Sequence, residues 1–272
     1  MNKTERLRRL ITDNPNVKHL GLYKLYLKTI PQIIGNFTQL ESLDGSNNNF
    51  TEFPSPIFSF RLLMKLNLRF NHITIVPPNI EILINIRQLD LSYNQLSSLP
   101  DSIGNLTSLT ELQLDNNQLS SLPHTIGNLT SLMKLYLNSN CLTSLPDSIG
   151  NLTSLTELQL DNNQLSSLPH TIGNLTSLMK LYLNDNHLTR FPSQIPQLIN
   201  SLFICNNRIS WISRDIIINY RQLQRLEFDF RIITTWDFPD VLKMGYLCGY
   251  PIDVVNYWAQ SKLSSPISCI IV

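Results

Sequence analysis

The sequence predicts a right-handed α/β solenoid of about ten coils, with a continuous parallel sheet along the concave face and short helical turns outside. Three observations lead there. The segment from Ser98 to Asn138, SLPDSIGNLTSLTELQLDNNQLSSLPHTIGNLTSLMKLYLN, recurs without a change at 144 to 184, an offset of 46 residues. That offset holds two shorter units, because LxxLxLxxNxLxxLPxxIGNLTS returns every 23 residues, as at Leu109, Leu112, Leu114, Asn117, Leu119, Leu122, Pro123, Ile126 and Leu129. A fixed period of this length marks a stacked repeat. Within each period LxLxx alternates apolar and polar, the rhythm of a half-buried strand, and there is room for one strand before the chain turns at Asn and again at Pro.

One such strand cannot bury its own apolar face. Stacked units can, because their strands pair in parallel about 4.8 Å apart and the Leu and Ile positions merge into one core. The Asn of each unit has another task. Where the backbone leaves the strand it exposes amide and carbonyl groups inside the coil, and an Asn side chain satisfies both kinds. The repeat frame places Asn48, Asn71, Asn94, Asn117, Asn140, Asn163, Asn186 and Asn207 in one interior ladder.

These residues, LxxLxLxxNxL followed by LPxxIGNLTSL, resemble the leucine-rich repeat family. The 23-residue spacing and the LPxxIG segment are similar to its intracellular Ras-group branch. The resemblance implies a horseshoe scaffold, without catalysis or cofactor, that binds other proteins on its concave sheet.

In chain order, residues 1–16 read as a short amphipathic helix, with Leu7, Leu10 and Ile11 on one face, that covers the open end of the first coil. Repeats occupy 17–236, with units starting near 17, 40, 63, 86, 109, 132, 155, 178, 199 and 223. The first departs from the pattern as a cap should, with Leu25 where Asn is expected. Gly45 replaces a core Leu, and the unit at 178 is two residues short. From 199 the pattern weakens: Leu202, Ile204, Asn207, Ile209 and Ile212 keep the frame, Ser213 replaces Pro, and the last unit keeps Leu226, Phe228, Ile233 and Trp236 while Arg231 displaces the ladder Asn. Residues 237–263 read as a carboxy-terminal cap, and 264–272 as a flexible tail.

The net charge of +1 and pI near 7.7 give no broad electrostatic footprint for nucleic acid or anionic lipid. Cys141, Cys205, Cys248 and Cys269 lack metal-ligand spacing and the paired clusters that staple secreted repeat arrays. The first residues are charged and lack the apolar core of a signal peptide, so a cytoplasmic monomer is expected. The GNLT sequons at Asn105, Asn128, Asn151 and Asn174 are repeat consensus rather than glycosylation sites. No phosphate loop, HExxH or GxSxG occurs, and His124 and His170 are copies of one another on the convex side, so no enzyme is expected and no cofactor or metal.

What remains is the open strand face. Alternation sends the third, fifth and seventh residues of each unit outward, and stacking makes columns of them. In the third column Glu and Lys alternate and sit close enough across adjacent strands to pair. The fifth carries aromatic residues, which anchor partners with a rigid ring and a polar tip. Lys65, Arg69, Phe70, Tyr93, Tyr136, Tyr182 and Phe203 are the candidate contacts for another protein. A structural or decoy array grown by duplication is the other reading. The last four residues, Cys269, Ile270, Ile271 and Val272, resemble a CaaX prenylation signal, through which one lipid would hold a membrane reversibly.

Overall fold

A computed structural model describes residues 16–209 and 223–227. The helix expected over 1–16, save Asn16, lies outside the described residues. So do the cap expected at 237–263, the tail with Cys269, and Ile212, Ser213, Phe228, Arg231, Ile233 and Trp236.

Among the described residues ten strands pair in sequence order into one parallel sheet. They are β1 (His19–Gly21), β2 (Ser42–Asp44), β3 (Lys65–Asn67), β4 (Gln88–Asp90), β5 (Glu111–Gln113), β6 (Lys134–Tyr136), β7 (Glu157–Gln159), β8 (Lys180–Tyr182), β9 (Ser201–Phe203) and β10 (Arg225–Glu227). The register follows the repeat: Glu111 pairs with Lys134, which pairs with Glu157. The central Leu of each strand points into the coil, and Leu112, Leu135, Leu158 and Leu181 are fully buried with Leu109, Leu114, Leu119, Ile126 and Leu129.

The ladder is built from side-chain amides. Asn117 Oδ1 accepts from Leu96 N at 2.9 Å, while its Nδ2 donates to Leu91 O and Leu114 O, both at 3.0 Å. Each such Asn therefore ties the end of its own strand to the preceding coil. Asn48, Asn71, Asn94, Asn140, Asn163, Asn186 and Asn207 make the equivalent bonds. At the open end, where Leu25 occupies the ladder position, Asn48 Oδ1 accepts from both Leu25 N and Leu27 N.

The helical turns on the outer side are 3-10 turns, each five residues long: Gln32–Asn36, Ser55–Ser59, Pro78–Ile82, Asp101–Asn105, His124–Asn128, Asp147–Asn151 and His170–Asn174. Each follows a Pro whose fixed φ sets an extended lead-in, and closes with i→i+3 bonds such as Ile103 N to Pro100 O. Among the described residues there is no α-helix. Between β8 and β9, where the unit is two residues short, no 3-10 turn forms; a single turn remains, with Ile199 N donating to Pro196 O at 3.2 Å, and Phe191, Ile195 and Ile199 keep the core continuous. The space left by Gly45 is taken by the buried Leu68 and Phe50 side chains, which a Cβ on Gly45 would meet at 3.1 and 3.3 Å.

Candidate protein-interaction face

The face opposite the core displays the third, fifth and seventh residues of each unit. Part of it is occupied by the fold itself. After each strand the seventh residue carries a backbone N–H that the sheet does not pair, and the chain satisfies it in two ways. In the early units the fifth residue turns back on its own unit: Asp44 Oδ1 accepts from Ser46 N, Asn67 Oδ1 from Arg69 N, and Asp90 Oδ1 from Ser92 N and Ser92 Oγ. From Asp115 onward the seventh residue reaches to the next unit instead. Asp115 Oδ1 accepts from Asn138 N, Asn138 Oδ1 from Asp161 N, Asp161 Oδ1 from Asn184 N and Asn184 Oδ1 from Cys205 N, at 2.7 to 3.0 Å. The fifth column is thereby relieved of capping where it becomes Tyr136, Gln159, Tyr182 and Phe203.

The Glu–Lys pairing expected in the third column is not what forms. Glu111 and Glu157 accept from Gln113 Nε2 and Gln159 Nε2 along their own strands, at 2.7 and 2.6 Å, because an i, i+2 neighbour on the same face reaches the carboxylate with less side-chain ordering. Lys134 and Lys180 stay exposed. An ion pair does form at the amino-terminal end, Lys18 with Glu41 at 2.7 Å.

The candidate contact residues separate into groups. At the carboxy-terminal rim of β3 and β4, Phe70 and Tyr93 pack with ring centroids 4.3 Å apart, and the Arg69 guanidinium lies 4.8 Å and 4.6 Å from those two centroids. At the far end, Tyr182 and Phe203 stack at 4.5 Å and 3°, and the Arg225 guanidinium sits 4.9 Å from the Phe203 ring. Between the two groups lie four strand spacings, β4 to β8, or about 19 Å. Tyr136 stands between them, half-buried. Burial, then the charges of Glu157, Glu111 and Asp115, push its hydroxyl up to about 12, which keeps it a neutral donor. Burial also raises Asp90 and Asp115, against the hydrogen bonds from Ser92 and Asn138 and the nearby charge of Arg69. Lys65 is exposed on β3.

Two features were not foreseen. The contact of Arg225 with Phe203 depends on the register of the irregular last coils, in which Arg225 pairs with Ser201 and Glu227 with Phe203. Phe70 and Tyr93 have φ of 54° and 53°, in the left-handed region where the other full repeats carry Asn47, Asn116, Ser139, Asn162, Asp185 and Asn206. A bulky residue there is costly. The signal was present, as an aromatic ring replacing a small polar residue at one fixed repeat position.

His124 and His170 open their outer-side turns and are exposed there. Among the described residues no cluster of three or more His, Cys, Asp and Glu is placed to hold a metal, and no helix is long and apolar enough to cross a membrane.

Comparison with known proteins agrees with this geometry. The family described as Leucine-rich repeat region matches residues 77–163, and Leucine Rich Repeat matches 154–175. No curated protein matches the sequence. Among solved structures, a leucine-rich repeat protein of Leptospira interrogans is similar at 28% identity and a TM-score of 0.61, over 89% of this chain and 72% of that one. The ectodomain of the plant membrane receptor kinase GASSHO1/SCHENGEN3 from Arabidopsis thaliana, solved in complex with CASPARIAN STRIP INTEGRITY FACTOR 2, is similar at 32% identity and a TM-score of 0.70, over 79% of this chain. The plant peptide hormone receptor RGFR1, in complex with RGF2, is similar at 28% identity and 0.62, again over 79% of this chain. The chain spans 27% and 40% of the lengths of those two receptors. With a ladder of Asn side chains, ten parallel strands in sequence order and these matches, the chain is a leucine-rich repeat protein.

Proposed function

We propose that this chain is a non-enzymatic scaffold that docks another protein on its concave sheet. One observation carries the reading. The fifth column gives up its capping role at the units where it becomes aromatic, so Tyr136, Tyr182 and Phe203 are not needed there to complete the backbone. Two of the similar structures are receptors solved with a partner bound, which supports binding as the use of such an array. The 23-residue spacing favours the Ras-group branch and a cytoplasmic location, with Cys269 as a prenylation site that intact-mass analysis of protein from a eukaryotic host would reveal. The exact duplication favours a second reading, a structural array in which Tyr182 merely copies Tyr136.

Affinity purification of the intact protein from its native cells separates the two. The scaffold yields a reproducible stoichiometric partner, and Tyr136→Ala or Tyr182→Ala weakens it by about 2 kcal/mol or more, roughly thirtyfold. A partner lost instead through His124→Ala and His170→Ala on the outer side would place the interface on the wrong face, and no partner would favour the structural array.

A further inference from the structure

We propose that β3 and β4, with both of their rims, form a docking strip for an acidic, apolar segment of a partner protein. The inference rests on the scaffold reading and names a sub-site within it, distinct from the Tyr136 to Phe203 column.

The first support is a choice of residue that the fold does not require, since each described repeat turns through the left-handed region at this position and most do so with a small polar residue. Phe70 and Tyr93 adopt φ of 54° and 53°, although Asn and Ser fill the same position in the duplicated units. Both remain 42% and 38% exposed, so their rings gain little burial from this chain in return. Strain held by exposed aromatic groups is a mark of a functional surface. The two rings fix Arg69 from one side, and its Nε is shut off from solvent without a hydrogen-bond partner. A guanidinium ordered in advance this way loses little entropy when it meets a carboxylate.

The second support comes from the opposite rim. Where the duplicated units carry Thr107, Ser108 and Thr110, or Thr130, Ser131 and Met133, this part of the chain carries Arg61, Leu62 and Met64, then Ile84, Asn85 and Arg87. These runs are neighbours. Asn85 Nδ2 donates to Arg61 O at 2.8 Å, and Arg87 N donates to Met64 O at 2.8 Å. Leu62 and Ile84 are 43% and 60% exposed, and Arg61, Lys65 and Arg87 are exposed beside them.

The charge decides the partner's chemistry. Across the strip Arg61, Lys65, Arg87 and Arg69 face one carboxylate on these strands, Asp90, which already accepts two hydrogen bonds from Ser92. The flanking carboxylates are engaged too: Glu41 pairs with Lys18, Asp44 accepts from Ser46 N, Glu111 from Gln113 and Asp115 from Asn138 N, and Glu81 lies on the outer side with Asn105. On a chain whose net charge is only +1, this concentration of cations among exposed apolar side chains complements Asp and Glu interspersed with apolar residues.

The test uses a displayed library of random 12-residue peptides, panned on the full chain and counter-selected on Phe70→Asn/Tyr93→Asn. Asn is the residue this backbone position takes elsewhere in the chain, so the double variant should keep or raise its unfolding midpoint while losing binding. Enriched peptides should combine Asp or Glu with apolar residues, weaken with added salt, and bind Arg61→Glu/Arg87→Glu roughly tenfold or more weakly. Basic or uncharged winners, no winners, or winners that bind the Asn double variant equally well would overturn the proposal. If winners are lost through Tyr136→Ala and Tyr182→Ala while the Asn double variant retains them, the scaffold stands and the strip falls. Sedimentation with phosphatidylcholine vesicles containing phosphatidylserine is the last arm: vesicle binding through the same residues, stronger than peptide binding, would make the strip a membrane contact and overturn the protein partner.

Discussion

Asp90 and Asp115 cap backbone N–H groups with carboxyls that burial holds above their usual range. The chain also shows that the charge is unnecessary. Asn67 makes the Asp90 bond one unit earlier, and Asn138 and Asn184 make the Asp115 bond in later units. Asp90→Asn and Asp115→Asn should therefore stabilise the fold at neutral pH, by on the order of 0.5 kcal/mol each. The sign with pH follows from the raised folded-state value. The cost of the ionised carboxyl is full above it, shrinks as pH falls through it, and is gone below the unfolded value of about 3.9, so the variants' advantage should vanish in acid. Denaturant titrations at several pH values check this, and a variant less stable than the parent at pH 7 would refute it. The ladder predicts the opposite sign. Asn117→Leu strands Leu96 N, Leu91 O and Leu114 O without their partner and should cost roughly 1 to 3 kcal/mol; an unchanged midpoint and slope would remove the ladder from the account. Ladder positions were legible because the ninth residue of every unit from 40 to 199 is Asn, at the point where the backbone leaves the strand. The shift of capping from fifth to seventh residue was not, since an Asp follows a Leu in both LDLS and LDNN and the bond partner of Asp115 lies in the next coil.

At the scale of the element, the outer turns are decided by how closely they stack. A Cβ on Gly104, Gly127 or Gly150 would run into the carbonyl oxygen and Cβ of Thr125, Ser148 or Thr171 in the following turn. Those same residues pull the turns together, because Thr125 Oγ1 donates to Asp101 O, Ser148 Oγ to His124 O and Thr171 Oγ1 to Asp147 O, at 2.6 to 2.7 Å. Gly127→Ala must push rigid backbone apart and should cost about 1 to 3 kcal/mol. Gly173→Ala meets only the Gln194 side chain, at 3.1 Å and beyond, and should cost clearly less. Equal losses in thermal unfolding would show that stacking distance is not what fixes the glycine. The sequence announced a turn at each LPxxIG, but not its type. A single 3-10 turn is what fits between a Pro lead-in and a glycine pressed against its neighbour, and neither the spacing nor the propensities express that contact.

The whole molecule inherits its length from the duplication. Because 98–138 and 144–184 are identical, removing residues 98–143 joins the coil of β4 to one that carries the same side chains as the coil it lost. In a solenoid each unit contacts only its neighbours, so the shortened chain should still fold, with the denaturant slope reduced by about a fifth as two of ten strands disappear. Loss of cooperative unfolding would contradict that independence. The excision also separates two roles of the array. It deletes Tyr136 but leaves Arg69, Phe70 and Tyr93 at one end and Tyr182, Phe203 and Arg225 at the other, and brings those groups nearer by two strand spacings, about 10 Å. A partner that grips both ends should lose most of its affinity, because the geometry of simultaneous contact is gone although the residues of each end are unchanged. A partner held at one end should bind the shortened chain as it binds the full one. Titration calorimetry of both chains against the same purified partner tells them apart, and full affinity for the shortened chain would show that the repeat number does not set the spacing the partner reads.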